Sequence, residues 1–236
     1  MEDRRKIIDE FARELDAIAG ENLRALFLYG SAVTGGFVDK KSDYNFVVVA
    51  EPVEIAFLDR VSTRARAWRK QRIPVPLIFT PPFVDRARDA YPLEFLSMLS
   101  GYELLRGADV LHEMAIERQD VRLQCERELR ATTLHLRQAY VQFGRSFREM
   151  RAILGSTQPK LMAIFRGLLY LSEGPWNLHG PELTSAVRER LELPARLLAL
   201  LSRIRHDVTV SSSETTELVH GLIPELERWT GLTDKL

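Results

Sequence analysis

Two short apolar runs near the amino end constrain the fold more than any other feature. Residues 23–29 run into Gly30-Ser31, and residues 43–49, rich in β-branched side chains, come after a loop over residues 35–42. Apolar runs of this length, bounded by glycine and polar residues, are typical of buried strands. The segment therefore predicts two buried strands connected by a loop that contains Gly35 and Gly36.

Helical periodicity surrounds these strands. The other elements predicted before residue 115 are helices over residues 2–19, 52–71, 82–90 and 92–99, a third strand over 75–79, and a short edge strand over 102–105. Pro52 is expected in the first turn of its helix, where a missing N–H is tolerated. Helices and strands in this order predict an α+β domain.

From about residue 116 only helical periodicity is found. One long helix is predicted from an apolar face that contains Leu129, Leu136, Tyr140, Phe143, Phe147, Met150 and Leu154. Further helices are predicted over residues 160–171, 181–191, 194–205 and 213–229. Because the connections are short, an antiparallel all-α bundle is expected. The predicted domains are residues 1–115 and 116–236.

Composition limits the possible partners. The chain has 236 residues, of which 45% are hydrophobic, and 33 basic residues balance 33 acidic ones. No apolar stretch approaches the roughly 20 residues that span a bilayer, so a soluble protein without a membrane partner is expected. The single cysteine, Cys125, and an amino terminus without a signal-like pattern predict a cytoplasmic protein. The densest basic run, Arg64 to Arg72, is interpreted as a solvated helix face. Nucleic acid is therefore not expected as a partner.

The order of Gly30, Ser31 and Asp43-Tyr44-Asn45 resembles a known signature. It is similar to that of the nucleotidyltransferase superfamily, which includes DNA polymerase beta and the aminoglycoside nucleotidyltransferases. In that pattern an apolar strand ends at Gly-Ser, and the next strand begins with Asp-x-Asp. Gly30, Ser31 and Asp43 match it, whereas Asn45 stands in the place of the second aspartate.

The resemblance implies an α+β fold with a mixed β-sheet and flanking helices. It also implies a chemistry for these residues. Gly30 and Ser31 would form a turn that approaches nucleotide phosphates, because a small residue lets backbone N–H groups come close to an anion. Asp43 and residue 45, two apart on a strand, would point to one face and hold Mg²⁺ against a nucleoside triphosphate. The metal would stabilise charge while pyrophosphate leaves.

The sequence departs from that pattern in two places. Asn45 offers a carbonyl oxygen but no negative charge, which weakens a Mg²⁺ site. The predicted third strand contains no acid, and the next acids, Asp85, Asp89 and Glu94, fall on predicted helices. Catalysis by Asp43 and Asn45 is therefore expected to be lost or strongly reduced, and Mg²⁺ binding to Asp43 to be weak.

The sequence supports three hypotheses about function. The first is a degenerate nucleotidyltransferase, a pseudoenzyme that binds or senses a nucleotide or serves in protein assembly. The second is an active metal-dependent enzyme that transfers a nucleoside monophosphate to a small molecule. The third is an interaction protein with an empty cleft. Under the first hypothesis the helical domain would supply the second wall of the cleft or a surface for homo-oligomers. Under the second it would carry the residues that bind the acceptor. An ordinary loop, with Ser31 as a helix cap and Asp43 as a turn residue, is the alternative without a nucleotide site.

Overall fold

The computed structural model describes residues 2–37, 39, 42–174, 176–205, 209–233 and 235. The chain forms two compact units. The first contains Met1–Arg88 and Met98–Ala115, and the second contains Asp89–Ser97 and Ile116–Leu236. The mixed sheet with flanking helices in the first unit, together with the helices of the second, confirms the predicted α+β class. The domain boundary between residues 115 and 116 stays a prediction.

A four-stranded sheet forms the centre of the first unit. Its strands are β1 (Leu23–Tyr29), β2 (Asn45–Ala50), β3 (Leu77–Phe79) and β4 (Tyr102–Gly107). Their order is β3-β2-β1-β4, with β1 antiparallel to β2 and β4, and β2 parallel to β3. The predicted edge strand over residues 102–105 is confirmed as β4. The helices before Tyr102 are α1 (Glu2–Ala19), α2 (Ile55–Lys70), α3 (Pro81–Arg86) and α4 (Pro92–Leu99).

One face of the sheet is buried against α1 and α2. Successive side chains alternate between the faces of a strand, so Leu26, Leu28, Phe46 and Val48 all point into this core. Phe11 of α1 stacks on Phe46, with 4.0 Å between ring centroids, and meets the edge of Trp68 of α2 at 4.8 Å. This packing fixes the strand ends that carry the motif.

The remaining helices belong to the second unit. They are α5 (Arg118–Phe143), α6 (Phe147–Leu171), α7 (Gly180–Arg190), α8 (Ala195–Arg205) and α9 (Ser212–Thr233). Helix α5 packs against α6 and α9, and α6 also packs against α8. Cys125 on α5 is fully buried.

The prediction of one long helix through residues 129–154 was wrong. The chain breaks after Phe143: Ser146 adopts an extended backbone and its N–H donates to the Phe143 carbonyl at 2.7 Å. Glycine and serine both weaken a helix, and here they allow a tight turn. Helix α6 then continues through Pro159, so the helix predicted from residue 160 is its second half.

Three element boundaries also differ from the predictions. Pro52 precedes α2, whose N-cap is Glu54, so it does not lie in the first helical turn. The predicted strand over 43–49 begins at Asn45, because the Tyr44 N–H donates to the Arg72 carbonyl at 2.9 Å instead of to a strand. Helix α3 ends at Arg86, which leaves Asp89 in a turn instead of a helix.

Loop residues Lys40 and Lys41 lie outside the described residues. Within the described part of the chain, no helix combines the length and the hydropathy that crossing a bilayer requires.

Candidate functional site

Gly30 forms a tight turn at the end of β1. Its φ of +79° lies in the left-handed region that glycine adopts without strain. Its carbonyl accepts hydrogen bonds from the N–H groups of Val33 and Thr34, at 3.0 and 3.1 Å, and from the Thr34 hydroxyl at 3.2 Å. The Gly30 N–H donates to the Gly101 carbonyl at 3.2 Å. The Gly-Ser pair itself lies in a single 3-10 turn, Gly30–Ala32.

Asn45 lies beside Gly30. The antiparallel register of β1 and β2 pairs Asn45 with Tyr29, the residue before the turn. A Cβ atom on Gly30 would lie 3.5 Å from Asn45 Nδ2, which is ordinary van der Waals contact. The two halves of the sequence motif therefore meet at the same end of the sheet, and the side chain that reaches the turn is a neutral amide.

Asp43, two residues before Asn45, pairs with Arg72. The distance from Arg72 Nη1 to Asp43 Oδ1 is 3.7 Å, and the side chains are 40% and 55% exposed. Arg72 comes after α2 with a φ of +62°, and its N–H donates to the Arg69 carbonyl at 3.1 Å. Because its own carbonyl accepts the Tyr44 N–H, the backbone holds Arg72 next to the Asp43-Tyr44-Asn45 segment.

Tyr29 and Tyr102 lie in line with Asn45 across three neighbouring strands. Tyr29 pairs with Asn45 on one side and with Tyr102 of β4 on the other, so the three side chains project from one face of the sheet. Burial raises the pKa of Tyr29. Burial is the main cause that raises the pKa of Tyr102, and the negative charge of Asp109 raises it further. Both phenols are therefore neutral at physiological pH, and the Tyr102 hydroxyl donates to Asp109.

Ser31 lies in the same turn as Gly30 and is half-buried. A Cβ atom on Gly36 would lie 3.9 Å from Ser31 Cβ, so the loop after the turn folds back over it. Further along that loop, the Phe37 ring lies 4.7 Å from the Tyr44 ring and beneath the Arg4 guanidinium. The contacts described above join Gly30 to Asn45 and Asp43 to Arg72. Ser31 is linked to Gly30 because both lie in the same 3-10 turn.

The structure places two of the other candidate acids, Glu94 and Asp85, on helices. Glu94 is in α4, where its carboxylate accepts the Gln124 side-chain N–H at 2.8 Å. Asp85 is in α3. Among the residues that the structure describes, no group of three His, Cys, Asp or Glu side chains is arranged to hold a metal. One carboxylate that already faces a guanidinium, with an amide beside it, fits Mg²⁺ poorly.

Sequence reasoning missed two residues near the motif. Asp109, after β4, accepts the Tyr102 hydroxyl at 3.1 Å and the N–H groups of Leu111 and His112. Its oxygens are thus used within a local turn. Arg72 was noticed only as the end of a basic run, because the left-handed turn that aims it at Asp43 has no glycine to reveal it.

The basic run on α2 is partly used inside the fold. Arg64 donates to Glu14 at 3.1 Å, and the buried Trp68 donates its ring N–H to the same carboxylate at 2.7 Å. The hydrogen bond from Arg64 is the main reason why the pKa of Glu14 is lowered, and burial of the carboxyl opposes it. Arg66, Arg69 and Lys70 are exposed, as expected of a solvated helix face.

The sheet, its turn and the helices around them form a fold similar to that of a solved nucleotidyltransferase. The structure is similar to that of spectinomycin adenyltransferase from Enterococcus faecialis, solved with ATP and spectinomycin. The TM-score is 0.58 at 14% sequence identity, and the match covers 94% of this chain and 99% of that chain. No family model and no curated protein matches the sequence. At this identity the likeness establishes the fold alone.

Proposed function

We propose that this protein binds a nucleoside triphosphate at the Gly30 turn and that its ability to transfer a nucleotidyl group is lost or strongly reduced. The solved protein with the same fold binds ATP, which supports a nucleotide as the ligand of this fold. A protein of this kind would serve in nucleotide sensing or in nucleotide-controlled protein assembly.

One observation carries the loss of catalysis: Asn45 lies against the Gly30 turn while Asp43 faces Arg72. Metal-assisted nucleotidyl transfer needs several anionic oxygens to hold Mg²⁺ against the phosphates. In this protein the neutral amide contributes no charge, and the one motif carboxylate, that of Asp43, lies 3.7 Å from a guanidinium. The electrostatic stabilisation that drives the reaction in such sites is therefore largely removed.

Isothermal titration with ATP, with and without Mg²⁺, tests the proposal. We expect binding whose affinity changes little when EDTA replaces Mg²⁺, and no pyrophosphate release on incubation with a panel of small-molecule acceptors. Binding that requires Mg²⁺, together with pyrophosphate release, would show that the protein is an enzyme. Absence of binding to any triphosphate would instead favour an interaction protein with an empty cleft.

An active transferase is the second candidate, because the likeness to the adenyltransferase extends over nearly the whole of both chains. That likeness would imply a small-molecule acceptor and transfer of a nucleoside monophosphate. In this case the Asn45 carbonyl and the nucleotide's own phosphates would complete the magnesium shell. Pyrophosphate release that Asp43→Ala abolishes would establish this function. Homo-oligomers formed through the helical domain stay a prediction.

A further inference from the structure

We propose that Arg72 supplies the positive charge that binds the triphosphate, in the role that Mg²⁺ has in metal-dependent sites. This inference rests on the proposed nucleotide binding and assigns a particular residue to it. The poor fit of Asp43 and Asn45 to a metal leaves the question of what neutralises the phosphates. Among the residues that the structure describes, Arg72 forms an ion pair with the motif carboxylate.

The position of Arg72 is set by backbone contacts. Its N–H and its carbonyl both take part in hydrogen bonds, to the Arg69 carbonyl and from the Tyr44 N–H, at 3.1 and 2.9 Å. Tyr44 lies between the two motif residues and is buried. The backbone of Arg72 is therefore attached to the segment that carries Asp43 and Asn45, and the guanidinium extends from this fixed point toward Asp43.

The ion pair with Asp43 is weak enough to be exchanged. Both partners are about half exposed and 3.7 Å apart, and exposed pairs of this kind contribute little because water and salt screen them. A phosphate group offers more negative charge and accepts two parallel N–H donors from one guanidinium. An arriving triphosphate can therefore bind Arg72 in place of Asp43, or share it with Asp43.

Glycine is the suitable replacement for Arg72. At a φ of +62° alanine would add backbone strain, whereas glycine adopts this conformation readily. Arg72→Gly therefore removes the guanidinium and preserves the turn. Arg72→Lys is the second variant, since it keeps the charge but loses the planar pair of donors. Arg66→Ala, which removes an exposed arginine from the preceding helix α2, is the matched control.

The experiment is isothermal titration of the full chain with ATP in EDTA. We expect Arg72→Gly to weaken binding by about tenfold or more, the effect typical of losing a charge-assisted hydrogen bond to phosphate. Arg72→Lys should lose less, and Arg66→Ala should match the wild type. Thermal unfolding of each variant verifies that the fold is intact.

Asp43→Asn should change the affinity for ATP in the opposite direction. If Arg72 binds the phosphates, removing the competing carboxylate should tighten binding in EDTA by about two- to fivefold, the strength of an exposed ion pair. If a metal held by Asp43 binds them, the same change should weaken binding in Mg²⁺. Weaker binding of Asp43→Asn in EDTA would overturn the assignment of Arg72.

The two proposals fail in different ways. If the wild type binds no triphosphate, the proposed function is wrong and this inference falls with it. If the wild type binds ATP in EDTA and a folded Arg72→Gly variant binds equally well, nucleotide binding stands and the assignment of Arg72 is wrong.

Discussion

A carboxamide and a carboxylate have almost the same shape, so residue 45 can change its charge without changing its packing. The Asn45 amide nitrogen lies at van der Waals distance from the position of a Cβ on Gly30, and its neighbour across the strands is Tyr29. Metal affinity depends strongly on the charge of the ligands, while the fold depends on their size. A single oxygen-for-nitrogen exchange at this position therefore separates the electrostatics of the site from its geometry.

Asn45→Asp should create measurable affinity for Mn²⁺, a paramagnetic substitute for Mg²⁺. A second anionic oxygen two residues from Asp43 should raise the affinity by at least about tenfold. Electron paramagnetic resonance of free Mn²⁺ measures it. Asn22→Asp, the same chemical change before the start of β1, is the control. If the two variants bind Mn²⁺ equally, residue 45 does not face a metal site and the motif assignment is wrong.

The ends of the helices and strands show which boundaries can be predicted from neighbouring residues in the sequence. Strand β1 and helix α4 have the bounds that the sequence predicted, because glycine, proline and apolar runs mark both of their ends. The break between α5 and α6 was missed, since the apolar face continues in phase across a turn of only a few residues. Periodicity detects the faces of helices, but it does not detect a short interruption that preserves the phase.

Helix α9 begins at Ser212, one residue before the predicted start, and a capping motif marks this position. The Ser211 hydroxyl accepts the Glu214 N–H at 3.1 Å, and the Glu214 carboxylate accepts the Ser211 N–H at 2.9 Å. This reciprocal arrangement is a capping box. Glu214 also binds Arg203 and Arg196. The hydrogen bond from Arg203 and that from the Ser211 backbone lower the pKa of Glu214 from 4.5 to about 2.

Glu214→Gln should lower the midpoint of thermal unfolding at neutral pH. Because the pKa is lower in the folded state, the stabilising effect is complete above about 4.5 and disappears as the pH falls toward about 2. The difference between variant and wild type should therefore shrink on acidification below pH 4.5. Glu182→Gln, in the first turn of α7, is the control. A difference that stays constant down to about pH 3 would contradict the assigned pKa.

At the scale of the whole molecule, the chain enters the second unit twice. Residues 89–97 precede β4 in the sequence but belong to the second unit. Gln124 of α5, in the same unit, forms hydrogen bonds with this segment. The buried Gln124 side chain accepts the Leu93 N–H at 2.8 Å and donates to Glu94 at 2.8 Å.

The sequence located Gly30 and Asn45 through a local motif. It held no sign of this contact or of the Asp43–Arg72 pair, because both join residues far apart in the chain.

Gln124→Met should lower the free energy of unfolding by about 1–3 kcal/mol, because the Leu93 N–H loses its acceptor in a buried position. Hydrogen–deuterium exchange should show faster exchange over residues 89–97. Gln138→Met, at an exposed position on the same helix, should change neither measurement. Unaltered exchange in residues 89–97 would mean that packing alone, without Gln124, keeps this segment in place.

The left-handed backbone at Arg72 has a consequence for how such a protein diverges over evolutionary time. A residue with a Cβ carries strain in this conformation, whereas glycine adopts it readily, so exchange of this cation for glycine meets no steric barrier in the main chain. Lineages can therefore gain or lose this cation independently of selection for stability. Homologues that vary at this position would form a natural series in which ligand preference shifts while the scaffold stays the same.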